Sequence, residues 1–407
     1  MGRGIRMLVA LFGEIPALVA DAEQYSLEPM EDVDYDDFTE GLTEEEQAYL
    51  VAKREGERSV AAFTQLLRLV PSLKSKLVGD PDELVSFYRS LQKGANDSRS
   101  DDLSRVSQRV AEMINSERDR PDLAVFNFTP PIIDDKGKAV TQYPPLLPHR
   151  ERDTRGVQND YCLGLLCPIE HDVADEEVRN SLRSSTTSHS EDKEYRLTES
   201  FYARVFYQGF QGDANNVDGG FLKSRLLVLN YKAVFTGPGS AKEDAENAPP
   251  AKRSRGEVGA IRKNVAEILG MNGKVTPRSI AYIAILTHIS LTTARHWSSE
   301  YYGISYPQMY NFLVDYFEAP QDGTPERAHA DMLLAWWNSQ VFTNHASSAS
   351  TNPTAMSSAA RLRAQRQARA AAAAAAAATT VTAAAAGTAA PSGVEATAEQ
   401  LVGGSIE

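Results

Sequence analysis

The chain has few of the residues that most often announce chemistry. It holds two cysteines, Cys162 and Cys167, in 407 residues. Two thiols do not make the disulfide framework of a small secreted protein, so the reducing side of the cell is the default compartment. Net positive charge is also missing: 55 acidic residues against 42 Lys and Arg leave a formal charge of −13. A protein that grips phosphates broadly needs a basic face. The balance therefore argues against general nucleic-acid binding and leaves room only for a local basic patch. Beyond the N-terminus and apart from an alanine run at 370–378, the longest apolar run, residues 280–286, is far shorter than the ~20 residues a spanning helix needs, so no transmembrane segment is expected. The chain contains no G-x-x-x-x-G-K-[ST] loop and no G-x-G-x-x-G after a strand, the backbone cradles of nucleotide phosphates. The G-x-S-x-G nucleophile elbow is missing too. Gly219-Gly220 and Gly237-Pro238-Gly239 read as ordinary turn or helix-end glycines.

What is present is helical pattern. Apolar residues make up 42% of the chain, unevenly spread, which predicts one folded region with mobile ends. Arg3 and Arg6 precede an apolar hexamer at 7–12, a weak imitation of a signal peptide. Glu14 and Pro16 interrupt it, so the segment reads as an amphipathic first helix. Residues 21–47 carry twelve acids and no Lys or Arg, the mark of a solvated segment. Thr43-Glu44-Glu45-Glu46 then spells a capping box, with carboxylates at the positive end of the next helix. Phe63, Leu66, Leu67 and Val70 give that helix one buried face, and Pro71 breaks it. Asp80-Pro81-Asp82-Glu83 is a second start. Leu84, Phe87, Tyr88 and Leu91 form its stripe, and Gly94 is the predicted stop. A polar connector at 95–100 leads to a further helix with Leu103, Val106, Val110, Met113 and Ile114 inward.

Pro130, Pro131, Pro144, Pro145 and Pro148 make 121–160 an extended wrap, with a short strand at 124–128. Helices are predicted to resume at Asp175, over 197–208 and over 219–235. The stretch 236–256 reads as an exposed loop. Thr276-Pro277 and Thr324-Pro325 repeat the cap-plus-proline signal. The helix after Thr276 is apolar nearly all round, as a central core helix is. Met309, Phe312, Leu313, Tyr316 and Phe317 form a clean amphipathic face. Past Thr343 the composition collapses to Ala, Ser and Thr, with an alanine run at 370–378 behind Arg361, Arg363, Arg366 and Arg369. That tail reads as disordered or weakly helical, with a basic anchoring helix as the alternative. The expectation is an all-α chain: an N-terminal helix and acidic segment over 1–42, a single multi-helical globular domain over 43–343, and a low-complexity tail over 344–407.

Several phrases occur in a fixed order: LQKGANDSRSDD (91–102), GLLCPIE (164–170), SRLLVLNYKAVFTGPGSA (224–241), RKNVAEILGM (262–271), TPRSIAYIA (276–284), YNFLVDYFE (310–318) and LLAWWNSQVF (333–342). Through them the chain resembles, over residues 56–343, a domain-of-unknown-function family multiplied in mushroom-forming basidiomycete fungi. The cysteine at 162 departs from the pattern expected of that family. The resemblance implies a fungal intracellular protein and implies no activity.

Candidate sites each have a functional and a plain reading. His149, Cys162, Cys167 and His171 give H-x12-C-x4-C-x3-H, donors suited to tetrahedral zinc, though the spacing matches no standard finger. Buried, idle thiols are the plain alternative. His288 and His296 lie on or beside the most apolar helix, without a recognisable partner for base catalysis. Lys93, Asn96, Ser98, Arg99 and Ser100 could line an anion site at a helix N-terminus. They could equally form a helix–helix turn, and Asp101 and Asp102 would repel an anion. Lys252, Arg253 and Arg255, after Pro249-Pro250, read as a nuclear-import signal or as a solvated basic loop. With Arg262, Lys263, Lys274 and Arg278 they could touch nucleic acid. Trp336 and Trp337 are helix neighbours pointing about 100° apart, so one suits the core and the other a partner-facing rim, with core packing of both as the plain reading. No cofactor is expected. The function these features suggest is a non-enzymatic helical protein–protein interaction module, nuclear in location. The alternatives are a nucleic-acid-associated protein of mobile-element origin using the patch 252–278, and an enzyme with an unrecognised site.

Overall fold

Several helix starts in this chain are set by side chains that accept from the first free N–H groups. The computed structural model describes residues 2–31, 43–116, 132–133, 135–137, 139–140, 147, 151–185, 195–237 and 263–342. It opens with α1 (Gly2–Leu8), α2 (Ile15–Leu27), α3 (Glu44–Leu69), α4 (Leu73–Leu77) and the long α5 (Pro81–Ser116). A two-residue hairpin follows, β1 (Ile132–Ile133) paired antiparallel with β2 (Ala139–Val140). Then come α6 (Asp160–Leu166), α7 (Glu176–Ser185), α8 (Arg225–Phe235), α9 (Val265–Ile268) and α10 (Pro277–Leu291). A second hairpin, β3 (Glu300–Tyr301) with β4 (Ile304–Ser305), leads into α11 (Tyr306–Glu318) and α12 (Pro325–Val341). The fold class is all-α.

The caps stand where their residue types put them. Thr43 accepts from Glu46 N while Glu46 reaches back to Thr43 N at 2.8 Å. Asp80 Oδ1 accepts from Asp82 N at 2.7 Å, with Pro81 as the first helical residue. Thr276 and Thr324 cap α10 and α12, each followed by proline.

The core is organised around α10, in which every residue from 278 to 291 is buried. Helices α1, α5, α6, α8 and α11 pack around it. A second apolar cluster joins α1, α2, α3 and α5 through Ile5, Val9, Ile15, Val19, Ala62, Leu66, Leu91 and Ala95. The stretch from α1 to residue 11 bridges the two clusters, because Met7 and Leu11 enter the α10 core while Ile5 and Val9 enter the other. Each such side chain contributes about 1.5–3 kcal/mol by burial.

Several sequence expectations need correction. The boundary at 43 fails, because α1 and α2 pack within the same unit, 1–343, that holds every described residue. Gly94 does not stop a helix. α5 runs through it, and within the stretch 95–102 the residues Ala95, Ser98 and Asp102 share a buried face, with Ser98 and Asp102 against α1. Residues 197–208 form no α-helix; 3-10 turns stand at Arg204–Phe206 and Gln208–Phe210 instead. α8 begins at Arg225 rather than 219, since Gly220 and Leu222 hold positive φ angles that an α-helix excludes. The acidic segment 21–47 is not wholly solvated chain, since 21–27 belong to α2 and 44–47 to α3. Its residues 32–42, the strand expected at 124–128, most of the 236–256 loop and the tail lie outside the described residues. Among the described residues no helix is long and apolar enough to cross a membrane.

Candidate functional site

Most buried polar groups here are engaged with the protein's own backbone. Arg155, fully buried, donates to Ser290 O at 2.5 Å and Ser107 O at 3.0 Å. Arg6 donates to Gly13 O at 2.8 Å and Asn96 Oδ1 at 2.9 Å. Burial lowers both guanidinium pKa values. Asp102, on α5, accepts from Arg3 at 2.7 Å and from the Tyr282 hydroxyl at 3.0 Å. Burial pushes its carboxyl pKa up, opposed by Arg3 and Tyr282. These contacts hold α1, α5 and α10 together and satisfy groups that would otherwise cost stability in the interior.

The residues singled out from sequence are dispersed. The Cys162 thiol is fully buried and burial raises its pKa to about 12; that of Cys167 rises to about 11 for the same reason. Cys167 donates to the carbonyls of Pro168 and His171, while the His171 ring packs on Tyr195 and Phe201. Among the described residues no group of His, Cys, Asp and Glu is placed to hold a metal. His149 lies outside them. His288 is sealed in the core, its Nδ1 3.1 Å from the Tyr306 hydroxyl, and His296 is exposed. Lys93, Asn96, Ser98, Arg99 and Ser100 sit in mid-helix, where no free N–H groups face an anion. Arg99 instead covers the Trp297 ring at 4.4 Å. Lys252, Arg253, Arg255 and Arg262 lie outside the described residues. Arg278 drops out of the basic patch: it is buried and grips both Glu318 oxygens, at 3.0 and 2.8 Å. Trp337 is fully buried beside Tyr231. Trp336 is half-buried, with Lys223 Nζ 6.0 Å from its ring.

One surface was not legible in advance. Phe312, assigned from sequence to the inward face of α11, is 41% exposed. Its ring stacks on Tyr202 with centroids 4.8 Å apart and planes 27° from parallel. Phe221 lies buried beside Tyr202, Tyr207 and Tyr316, at 5.2, 5.3 and 5.4 Å, and so ties the platform to the core. Offset and edge-on ring pairs of this kind add about 0.5–1.5 kcal/mol each beyond burial. Two backbone bridges fix the frame, Pro168 with Ala203 and Tyr207 with Phe221.

The frame is strained. Phe210 and Leu222 hold φ of 58° and 54°, beside Gly209 at 63° and Gly220 at 78°. Bulky residues in this region cost about 1–3 kcal/mol each and collect at functional sites. Two carboxylates border the rings. Asp218 Oδ1 accepts from the Tyr316 hydroxyl at 3.1 Å. Exposed Glu170 follows Ile169, whose N–H donates to Tyr202 O at 3.2 Å. Burial raises the phenol pKa values of Tyr202, Tyr207 and Tyr316; Glu170 adds to this at Tyr202 and Tyr207, and Asp218 at Tyr207 and Tyr316. The rings therefore stay neutral while the rim is acidic. Such a surface can stack, take apolar contacts and attract cations.

Fold and surface together define a helical domain with an exposed aromatic platform. The chain belongs to the family of unknown function DUF6698, which it matches over residues 93–342. No curated protein and no solved structure matches it.

Proposed function

We propose that this protein is a non-enzymatic helical interaction module that binds a protein partner through the Tyr202–Phe312 platform. The observation that carries this is the exposed Phe312 ring, stacked on the half-buried Tyr202 ring on a strained frame. Elsewhere the described buried polar groups mostly clamp backbone or pair with each other, which supports a structural role for them. The phrase-level resemblance supports a source among mushroom-forming fungi. Lys252, Arg253 and Arg255 support a nuclear location, with import read from the basic run.

Cross-linking mass spectrometry in a fungal host tests the binding role, comparing wild type with Phe312→Ala. A protein cross-linked near residues 202 and 312 in wild type should disappear in the variant. An identical partner set in both would overturn the assignment of the platform. Replacing Lys252, Arg253 and Arg255 with Ala in a fluorescent fusion should redistribute the signal from nucleus to cytoplasm. Unchanged distribution would remove the import role.

A further inference from the structure

We infer that the platform's occupant is a cationic peptide segment, with an Arg or Lys side chain laid over the exposed Phe312 ring at the edge of Tyr202 and paired with Asp218 and Glu170. This rests on the interaction role proposed above and names the partner's chemistry.

The molecule itself shows the contact. Arg99 covers Trp297 at 4.4 Å, and Lys223 stands 6.0 Å from the Trp336 ring. Aromatic faces attract cations through the ring quadrupole, and most strongly when partly desolvated. Among the described residues no cation of the chain covers Tyr202, Phe312 or Tyr316. The carboxylates show the same vacancy. Asp102, Asp153, Asp160, Asp315 and Glu318 all pair with arginines. Asp218 and Glu170 pair with none among the described residues, and Asp218 bonds Tyr316 through one oxygen only. The nearby cations are engaged elsewhere: Lys223 at Trp336, and Arg204 at the His171 carbonyl at 2.8 Å.

Charge complementarity selects the partner. The platform is neutral and aromatic, its rim is acidic, and the chain carries a net −13. An arginine side chain satisfies both parts, stacking its planar guanidinium on a ring and offering paired donors to a carboxylate. Bases of a single strand could stack on the same rings, but their phosphates would meet Asp218 and Glu170. A second copy would bring a like net charge.

Fluorescence anisotropy with the full chain tests this. The probes are labelled decapeptides of alternating Arg-Gly, Lys-Gly and Gln-Gly, together with a single-stranded oligothymidine. The Arg-Gly peptide should bind best and the Gln-Gly peptide not measurably. Phe312→Ala should weaken Arg-Gly binding about fivefold. Asp218→Asn combined with Glu170→Gln should weaken it about tenfold and flatten its salt dependence. Both carboxylates are exposed, so that double variant keeps the fold even if Phe312→Ala perturbs it. Equal binding of Gln-Gly and Arg-Gly, or binding that the carboxylate variant leaves unchanged, overturns the inference. Oligothymidine binding lost in Phe312→Ala overturns it in favour of nucleic acid. Sedimentation of the same proteins separates the two failures. Self-association lost in Phe312→Ala, without peptide binding, sinks the cationic partner and keeps the interaction role. If Phe312→Ala alters neither peptide binding, self-association nor the cross-linked partners, both are sunk.

Discussion

His288 shows what the centre of this protein requires of a titratable group. It is buried within α10, and among the described residues only the Tyr306 hydroxyl is in reach of Nδ1. Burial lowers its pKa from 6.5 to about 4. Between these values the unfolded chain binds a proton that the folded chain refuses. The stability tied to neutral His288 is therefore complete above pH 6.5, declines as pH falls, and is fully lost below 4. The whole interval corresponds to about 3 kcal/mol. Asp102 works in the opposite sense. Burial raises its folded pKa, so protonation relieves a cost and its contribution rises as pH falls through that value. Replacing His288 with Gln keeps a polar group for Tyr306 and removes the titration. Urea unfolding of His288→Gln should show a flatter decline between pH 6.5 and 4 than the wild type. An unchanged slope would assign acid sensitivity to other groups.

At the scale of elements, the crossing of α1 over α5 is the least tolerant contact. Glycines on both helices allow it. A Cβ at Gly2 would stand 2.9 Å from Gly94 Cα and 2.9 Å from Leu91 O, both backbone atoms that cannot swing aside. Gly2→Ala should therefore destabilise by about 1–3 kcal/mol, although alanine favours helix. Chemical denaturation measures this, and a neutral or stabilising result would show that α1 can shift without loss. The same crossing explains what the sequence did and did not reveal. Thr43, Asp80, Thr276 and Thr324 were legible as caps because a cap acts within three or four residues. The all-round apolar pattern after Thr276 was legible as a central helix for the same local reason. Gly94 was misread as a stop because its role is set by Gly2, far away in the chain. The polar run 95–102 looked like a solvated connector, but Asp102 is kept from water by Arg3 and Tyr282. The platform escaped notice because its rings come from 202, 221, 312 and 316. Phe312 has the right period for an inward face but sits at its edge, where periodicity cannot separate core from rim.

For the whole molecule, the question is which residues make one cooperative unit. The family match begins at 93, inside α5, which starts at Pro81. A fragment of residues 93–342 would lose α1 to α4. It would lose Met7 and Leu11 from the α10 core and the second apolar cluster almost entirely. Several of its polar contacts would be broken from one side. Asp102 would lose Arg3, Asp315 would lose Arg58, and Arg278 would lose the carbonyls of Val9 and Arg58. Each large apolar side chain no longer buried forfeits about 1.5–3 kcal/mol, and whole-domain stability is only about 5–15 kcal/mol. The fragment should therefore keep helical far-UV signal while losing near-UV signal, binding a hydrophobic dye and unfolding without a sharp urea transition. Residues 1–343 should unfold in one cooperative step. A two-state transition of the fragment with the midpoint of 1–343 would show that the N-terminal helices are an addition to the fold. The clamps running from residues 3, 6 and 9 into α5 and α10 argue that they are part of it.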